Sequence, residues 1–325
     1  MKKLTQLSLL LALSLPWLAQ ANEFEALINA KKFTEAEKLI NQKLATDANH
    51  EDALAARAQL VLAMGHYEKL DDAQKWAEQC ISSHPQSSEC QEVYGNVLGV
   101  KAQRSSMFAA MSLAGKVKDA YLKAIELNPK NISARNNLLQ FYLVVPAIAG
   151  GSKEKALALI NETQKINAVA ASLMQCSVDL QEEKISKAES SALQANVSAS
   201  EDLSRLQRAV LNGVGQAYLS KKQYAEAERV FQELLQRYPD KYLGSYGLAR
   251  VMQEQGKHKE ALSWFEKSMS LDNSAAVSYR LAQSLLALNE KPKALQYLEK
   301  SLQLKPELSK KLKEEAQQQI KNLRS

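Results

Sequence analysis

Glycine and proline, the residues that favour turns, are scarce in this sequence. The chain has 11 glycines and 7 prolines in 325 residues, whereas glycine alone averages about 7% of a protein. A fold of many short strands needs many turns, so this composition leaves little room for a β-sheet protein. The sequence therefore predicts an all-α chain before any periodic pattern is considered.

The sequence also lacks the residue patterns of known catalytic and metal sites. Its four histidines, His50, His66, His84 and His258, are scattered outside any metal-protease motif. The acidic residues alternate with lysine, as on solvated helix faces, and no serine or cysteine stands in a recognisable catalytic setting. Residues 150–153, Gly-Gly-Ser-Lys, lack the spacing and the preceding strand of a phosphate-binding loop. We therefore predict no enzyme activity, no cofactor and no metal.

Positive charge is not concentrated in the way that nucleic-acid binding requires. The formal charge is +6, and residues 305–325 alone carry six Lys or Arg against three Glu. The remainder of the chain is close to neutral and has no basic stripe with aromatic residues between the charges. Nucleic acid is therefore not a predicted partner.

Residues 1–21 have the pattern of a secretory signal peptide. Two lysines precede an apolar run over Leu4–Leu15, and Ala19-Gln20-Ala21 supplies the small residues that a signal peptidase accepts. A membrane anchor is the alternative, but a span needs about 20 apolar residues and this run is shorter. We expect cleavage after Ala21 and a mature chain in the periplasm or outside the cell, without a membrane span.

One stretch, residues 206–240, contains two short amphipathic helical patterns separated by Ser220–Gln223. Counted from Arg208 as position 1, positions 8, 11, 20, 24 and 32 are occupied by Gly215, Tyr218, Ala227, Phe231 and Pro239. This pattern resembles the tetratricopeptide (TPR) repeat, a helix pair with a period of about 34 residues. The resemblance implies that the small residues let the two helices approach closely, while the aromatic residues fill the gap between them.

Alanine recurs at the register of Ala227 along the chain, at Ala36, Ala73, Ala156, Ala188, Ala261 and Ala294. Repeats at such a period stack so that each buries its apolar face on the next. We therefore predict an all-α, right-handed superhelical solenoid of TPR-like helix pairs over residues 22–306. Residues 307–325, rich in Lys, Glu and Gln, are predicted to form a helix that caps the C-terminal end.

Two segments depart from the repeat spacing. About ten residues are inserted near residues 102–115, where we predict longer helices, with Met107, Phe108, Met111 and Leu113 in the core or against a neighbouring helix. The second segment, residues 144–152, is an extended connection. Pro146 is expected to end one helix, Gly150-Gly151 to permit positive φ, and Ser152 to cap the next helix. This connection resembles one in a group of exported bacterial TPR proteins.

Two of the three cysteines lie ten residues apart on either side of a proline turn. In an oxidising compartment, Cys80 and Cys90 on antiparallel helices favour a disulfide. Two buried free thiols are the alternative, while a metal site lacks a fourth ligand. Cys176 is expected to be a small residue in the contact between its helices.

The TPR resemblance also implies a binding surface. In that family the first helix of each pair lines a concave groove, mainly through positions 2, 5, 6, 9, 12 and 13. Amides, tyrosines and arginines there can bind a peptide backbone or a polar ligand, while a hydrated surface without a partner is the alternative. The candidate groove residues are Asn96, Asn136, Asn137, Gln140, Asn212, Gln216, Tyr246, Arg250, Tyr279, Arg280 and Gln283.

Within that set, Arg250 and Arg280 are flanked by Tyr246 and Tyr279 at corresponding positions. We predict that they grip an acidic or carbonyl group of a partner, because forked guanidinium donors beside tyrosines are common at binding hot spots. The alternative is an ion pair between Arg250 and Glu254, one helical turn away.

The function predicted from these features is that of an exported, non-catalytic scaffold that holds a protein or peptide partner in its concave groove. The alternative is a periplasmic carrier of a small ligand or a transporter accessory. In that case residues 107–113 and 144–149 would wall an apolar pocket. An enclosed apolar pocket would favour the carrier, and an open polar groove would favour the scaffold.

Overall fold

The computed structural model describes residues 23–198 and 200–324, and the predicted signal segment, residues 1–21, lies outside them. The described residues contain seventeen α-helices, two 3₁₀ segments and no strand. The first nine helices are α1 Glu23–Asn29, α2 Phe33–Thr46, α3 Glu51–Met64, α4 Leu70–Ser83, α5 Ser88–Gln103, α6 Met107–Leu127, α7 Ile132–Val144, α8 Lys153–Gln164 and α9 Ala168–Gln181. The others are α10 Ile185–Gln194, α11 Glu201–Ser220, α12 Tyr224–Arg237, α13 Tyr242–Glu254, α14 His258–Leu271, α15 Ala275–Ala287, α16 Lys291–Gln303 and α17 Lys310–Arg324.

Consecutive helices pack against each other from α1 to α17. They form successive pairs in which the odd-numbered helix comes first. This arrangement confirms the predicted all-α TPR-like solenoid. No helix of the described residues is both long enough and apolar enough to cross a bilayer.

The turn inside a helix pair repeatedly places one residue in the left-handed region. At Gly65 and Gly256 φ is +68° and +75°, which glycine adopts without steric cost. Lys222 and Asn289 have φ of +57° and +60° at the corresponding turns. Lys222, Gly256 and Asn289 stand 34 and 33 residues apart, so the turn repeats with the period of the helices.

The contact between the two helices of a pair is formed as predicted. All seven of the recurring alanines, from Ala36 to Ala294, are 0% exposed. In the repeat that contains Ala227, Phe231 and Tyr218 are buried with it in one hydrophobic cluster. The register that was inferred from the spacing is therefore confirmed.

The inserted residues lengthen two helices, as predicted, because α5 and α6 extend to Gln103 and Met107 on either side of a short turn. The expectation that Met107, Phe108 and Met111 are buried is wrong. These side chains are 70%, 86% and 40% exposed. The buried residues of α6 begin at Ala114, and the first turns of the helix therefore extend beyond the core.

The connection after α7 follows its sequence closely. Helix α7 ends at Val144, before Pro146, and Gly150 has φ of +104°. A Cβ atom on Gly151 would lie 1.7 Å from the carbonyl oxygen of Val145, so only glycine fits this approach. The Ser152 hydroxyl accepts a hydrogen bond from the backbone N–H of Lys155 (3.2 Å) and caps α8.

The last helix, α17, begins at Lys310, three residues later than predicted. Its apolar residues Ala316 and Ile320 are buried in a cluster with Tyr279 and Ala282 of α15 and Leu298 of α16. The helix therefore covers the apolar end of the last helix pair and exposes most of its Lys, Glu and Gln residues.

Candidate functional site

A cavity of about 730 Å³ lies on the side of the solenoid that the first helices of the pairs line. It is bordered by residues of α1, α3, α5, α7 and α11, all first helices of their pairs, and by Tyr121 of α6. Its volume falls within the range of ligand-binding cavities. We refer to it as the concave cavity.

Helix α5 contributes most regularly to the concave cavity. With Ser88 as position 1, the groove positions 2, 5, 6, 9, 12 and 13 are Glu89, Glu92, Val93, Asn96, Gly99 and Val100. All six line the cavity. The position rule from the TPR resemblance therefore describes this helix completely.

A hydrogen-bonded amide cluster forms one wall of the cavity. Asn96 Oδ1 accepts hydrogen bonds from the Tyr121 hydroxyl and from Asn137 Nδ2, both at 3.0 Å. Asn136 lies beside Asn137 on α7, and its Oδ1 is buried without a hydrogen-bond donor among the described residues. The same is true of Gln59 Oε1, on α3. The cavity lining thus contains two amide side chains whose oxygens are buried and lack a donor among the described residues.

Two carboxyl groups on α5 form a second part of the lining. Glu92 accepts hydrogen bonds from the Ser133 hydroxyl (2.5 Å) and from Asn131 Nδ2 (2.9 Å). Burial raises the pKa of Glu92, although these hydrogen bonds act in the opposite direction. Burial also raises the pKa of Glu89 to about 8, with a further contribution from neighbouring carboxylates.

The wall opposite α5 carries the main positive charge of the cavity. Arg205 of α11 pairs with Glu25 of α1 (2.7 Å) and with Asp202 one turn before it (3.2 Å). Lys130 is the other cation in the lining. Four acidic residues and two basic ones therefore face the concave cavity, which gives it an excess of hydrogen-bond acceptors.

Only part of the predicted groove set meets at this cavity. Asn96, Asn136 and Asn137 line it. Gln140 lies further along α7 and donates a hydrogen bond to the Ser177 hydroxyl (3.2 Å). Asn212 and Gln216 are half-buried on α11, beyond the lining residues of that helix.

The residues of the predicted arginine–tyrosine patch make other contacts than expected. Arg250 pairs with Glu254 (3.0 Å), the alternative considered from the sequence, and Tyr246 packs between the rings of Tyr242 and Phe265. Neither Arg250 nor Arg280 is among the residues that line the concave cavity.

Helix α17 covers the end of the predicted groove. Tyr279 is buried, and its hydroxyl donates to Glu315 of α17 (2.8 Å). Gln283 exchanges hydrogen bonds with Gln319 of the same helix, at 2.8 and 3.1 Å. The expectation that Tyr279 and Gln283 face an open groove is therefore wrong, because the cap lies over those positions.

Sequence reasoning missed the charged residues of the site. Glu89 and Glu92 occupy groove positions 2 and 5 of α5, so the rule that gave Asn96 could have found them. Glu25, Asp202 and Arg205 carry no such signal, because α1 is too short for a repeat pattern and α11 begins before its repeat does.

The disulfide predicted from spacing lies next to this site. The structure joins Cys80 of α4 to Cys90 of α5 with a Cα–Cα distance of 5.4 Å. Cys90 follows Glu89 directly, and its backbone N–H donates to the Ser87 cap of α5 (3.0 Å). The bond thus holds the first turn of α5, the helix that supplies eight residues to the cavity.

The walls expected for an apolar carrier pocket are not part of the cavity. None of residues 107–113 or 144–149 is among its lining residues. Within the described parts of the chain, no group of three or more His, Cys, Asp or Glu residues is arranged to hold a metal ion.

The fold and this site define an α-helical repeat protein with a cavity on its concave side. The sequence profile of the tetratricopeptide repeat family matches residues 206–274 and 242–307. Residues 206–307 thus match the family's repeats, and the other described helix pairs continue the same fold. No curated protein matches the sequence.

Several solved structures are similar, and the one with a TM-score above 0.5 shows the same fold. Yeast Tom70 is similar with a TM-score of 0.62 at 16% identity, over 91% of this chain and 58% of that protein. A tetratricopeptide repeat protein from Parabacteroides merdae has a TM-score of 0.46 at 14% identity, over 93% of this chain and 96% of that one. The Cut9–Hcn1 structure has a TM-score of 0.48 at 15% identity, with coverage of 93% and 55%. The chain thus spans little more than half the length of Tom70.

Proposed function

We propose that the protein is an exported, non-catalytic scaffold that binds a protein or peptide partner in its concave cavity. The observation that carries this proposal is that all six groove positions of α5 line one cavity together with polar residues of α7 and α11. Export after cleavage behind Ala21, and a periplasmic location, rest on the pattern of residues 1–21.

The lining favours a partner segment rich in hydrogen-bond donors. Carboxyl groups outnumber cations in the cavity, and Asn136 Oδ1 and Gln59 Oε1 lack protein donors among the described residues. Arg205 already pairs with the carboxylates of Glu25 and Asp202. A lysine or arginine of a partner would pair in the same way with the carboxyl group of Glu92. Rotation of these two amide groups would present their oxygens to backbone N–H groups of an extended partner segment.

The test compares two identical substitutions on opposite sides of one helix pair. Asn136→Arg places a long, positively charged side chain in the concave cavity, whereas Asn161→Arg changes an exposed residue of the paired helix α8. Each variant, like the wild type, is used to capture partners from periplasmic extract. The recovered protein is then purified and titrated against all three.

We expect Asn161→Arg to match the wild type and Asn136→Arg to lose at least tenfold in affinity, which corresponds to about 1.4 kcal/mol. Equal affinities for the three proteins, with the fold intact by circular dichroism, would remove the cavity from the proposal. Recovery of no partner by the wild-type protein would count against the scaffold function itself.

A further inference from the structure

The first helices of the solenoid contact its C-terminal half, although the two are far apart in sequence. Glu25 of α1 pairs with Arg205 of α11 (2.7 Å), and Lys31, directly after α1, pairs with Asp272 after α14 (2.5 Å). Lys305, after α16, approaches Glu68 at 3.6 Å. We call this line of contacts the seam: it consists of residues 25, 31, 65 and 68 on one side and 205, 272, 305 and 306 on the other.

The seam is closed tightly at one point. A Cβ atom on Gly65 would lie 2.5 Å from Cα of Pro306, so the two backbones touch there. Gly65 also has φ of +68°, a conformation that favours glycine independently of this contact. The approach of residue 306 therefore adds a second requirement for glycine at this position.

The remaining contacts of the seam are ion pairs with at least one exposed partner, and Lys31 also lies over the ring of Tyr242, 5.6 Å from its centroid. The side chains of Lys31, Glu25 and Glu68 are 49%, 51% and 54% exposed, whereas Asp272, the partner of Lys31, is 15% exposed. None of the hydrophobic clusters among the described residues joins residues 24–64 to residues 242–323. Exposed ion pairs contribute little to stability and are screened by salt. The seam is thus much weaker than the contacts between consecutive helices.

The seam also borders the proposed binding site. Glu25, Ile28 and Asn29 of α1 line the concave cavity from one side of the seam, and Arg205 lines it from the other. The Glu25–Arg205 ion pair therefore joins two walls of the cavity. Separation of α1 from α11 would widen the cavity without breaking any helix pair.

We propose that the seam is a gate: the solenoid exchanges between a closed form, held by these ion pairs, and an open form that admits the partner. This proposal rests on the proposed function for the identity of the site. The gate itself is a property of the free chain, and its opening is measured without a partner.

The opening is measured by energy transfer between two dyes in the full mature chain. The dyes are attached to cysteines that replace Glu37 on α2 and Ser263 on α14, both exposed, in a Cys176→Ala background. Raising the ionic strength from about 0.01 to 1 M shortens the Debye length from about 30 to 3 Å. We expect transfer efficiency to fall with salt. An efficiency that stays constant over this range would overturn the gate.

Charge reversal tests the ion pairs directly. Lys31→Glu puts two carboxylates together at the seam, and we expect the low-transfer population at low salt to rise several-fold. Adding Asp272→Lys restores an opposite pair and should return the distribution to that of the wild type. A double variant as open as the single one would show that the pair does not hold the seam.

A matched pair of glycine variants tests the tight contact. Gly65→Ala and Gly256→Ala impose the same strain at positive φ, but a Cβ atom on Gly256 has no atom within 4 Å. We expect Gly65→Ala alone to open the seam, seen as lower transfer and a larger radius in small-angle X-ray scattering. The same transfer efficiency and radius for the two variants would mean that Gly65 and Pro306 are not in contact in solution.

Binding measurements then separate this proposal from the proposed function. Cavity binding that is unaffected by salt-driven opening would leave the scaffold in place and remove the gate's role in admission. If the seam opens with salt but Asn136→Arg binds the partner as well as the wild type, the gate is supported and the cavity is removed from the proposed function.

Discussion

The ring of Phe231 lies directly against the backbone of Gly247, in the next helix pair. A Cβ atom on Gly247 would be 2.0 Å from Cδ1 of the ring, and one on Gly215 would be 2.5 Å from its Cζ. Phe231 is fully buried between these two glycines. One aromatic ring thus joins α12 to α11 of its own repeat and to α13 of the next.

Gly247→Ala should therefore destabilise the protein, because its methyl group overlaps a buried ring in a packed core. We expect a loss of about 1–3 kcal/mol, measured from thermal or urea unfolding. Phe231→Leu removes the ring, so the alanine should cost much less in that background. Additive effects of the two substitutions would contradict the contact.

Gly115 provides the opposite case. It lies inside α6 at an exposed position, and a Cβ atom there would meet nothing within 4 Å. Gly115→Ala should stabilise the protein by about 0.5–1 kcal/mol, because alanine loses less backbone freedom in a helix. A lower unfolding midpoint for this variant would show that the inserted part of α6 is not helical in solution.

Ala227 tests the contact within a helix pair. It is fully buried beside Phe231, whereas Ala225, two residues earlier, is exposed. Ala227→Leu should cost on the order of 1–3 kcal/mol by overpacking this contact, and Ala225→Leu much less. The comparison uses thermal unfolding, and equal shifts for both variants would mean that the helix faces are assigned wrongly.

The spacing of small and aromatic residues was enough to predict these local contacts. Gly215, Ala227 and Phe231 each meet a partner within one repeat or its neighbour, so a fixed sequence distance encodes them. The exposed start of α6 could not be predicted in this way. The apolar periodicity of this segment indicated a helix. Whether its side chains are buried depends on whether a neighbouring helix reaches them, and therefore on where the shorter α5 ends.

The arrangement of the site depended on long-range geometry. Small rotations between repeats add up along a solenoid, and they bring Glu25 to Arg205 across 180 residues. No local pattern encodes that approach. Likewise, the sequence of α17 predicted a cap but not which residues the cap covers. Tyr279, a predicted groove residue, is covered by α17 and donates a hydrogen bond to Glu315.

The pairing of Cys80 with Cys90 predicts a specific thiol count. Protein isolated without a reducing agent should react with alkylating reagents only after unfolding and then at one thiol, Cys176. Cys176 is buried, and burial raises its pKa to about 11, so little of it is a reactive thiolate. Reduction should expose two more thiols and lower stability by about 2–4 kcal/mol. Three alkylated cysteines in unreduced, unfolded protein would rule out the bond.

The pKa of Glu89 predicts that stability changes with pH. Burial and, to a smaller extent, the carboxylates of Asp52, Glu25, Glu92 and Glu51 together raise this pKa to about 8 in the folded protein. In the unfolded chain the pKa of a glutamate is about 4.3. Between these values the folded state retains a proton that the unfolded state has lost. The contribution of Glu89 to stability is therefore complete below about pH 4 and decreases as pH rises toward about 8.

Glu89→Gln keeps the shape of the side chain and removes its titration. We expect the thermal midpoint of this variant to fall less than that of the wild type between about pH 4.5 and 8, because glutamine never has to ionise in its buried place. Glu37→Gln, at an exposed position of α2, is the matched control and should leave the slope unchanged. If the curves of wild type and Glu89→Gln run parallel across this window, Glu89 ionises without cost in the folded protein. The first turn of α5 would then be open to water, and the cavity would offer a partner's lysine or arginine a solvated carboxylate instead of a buried one.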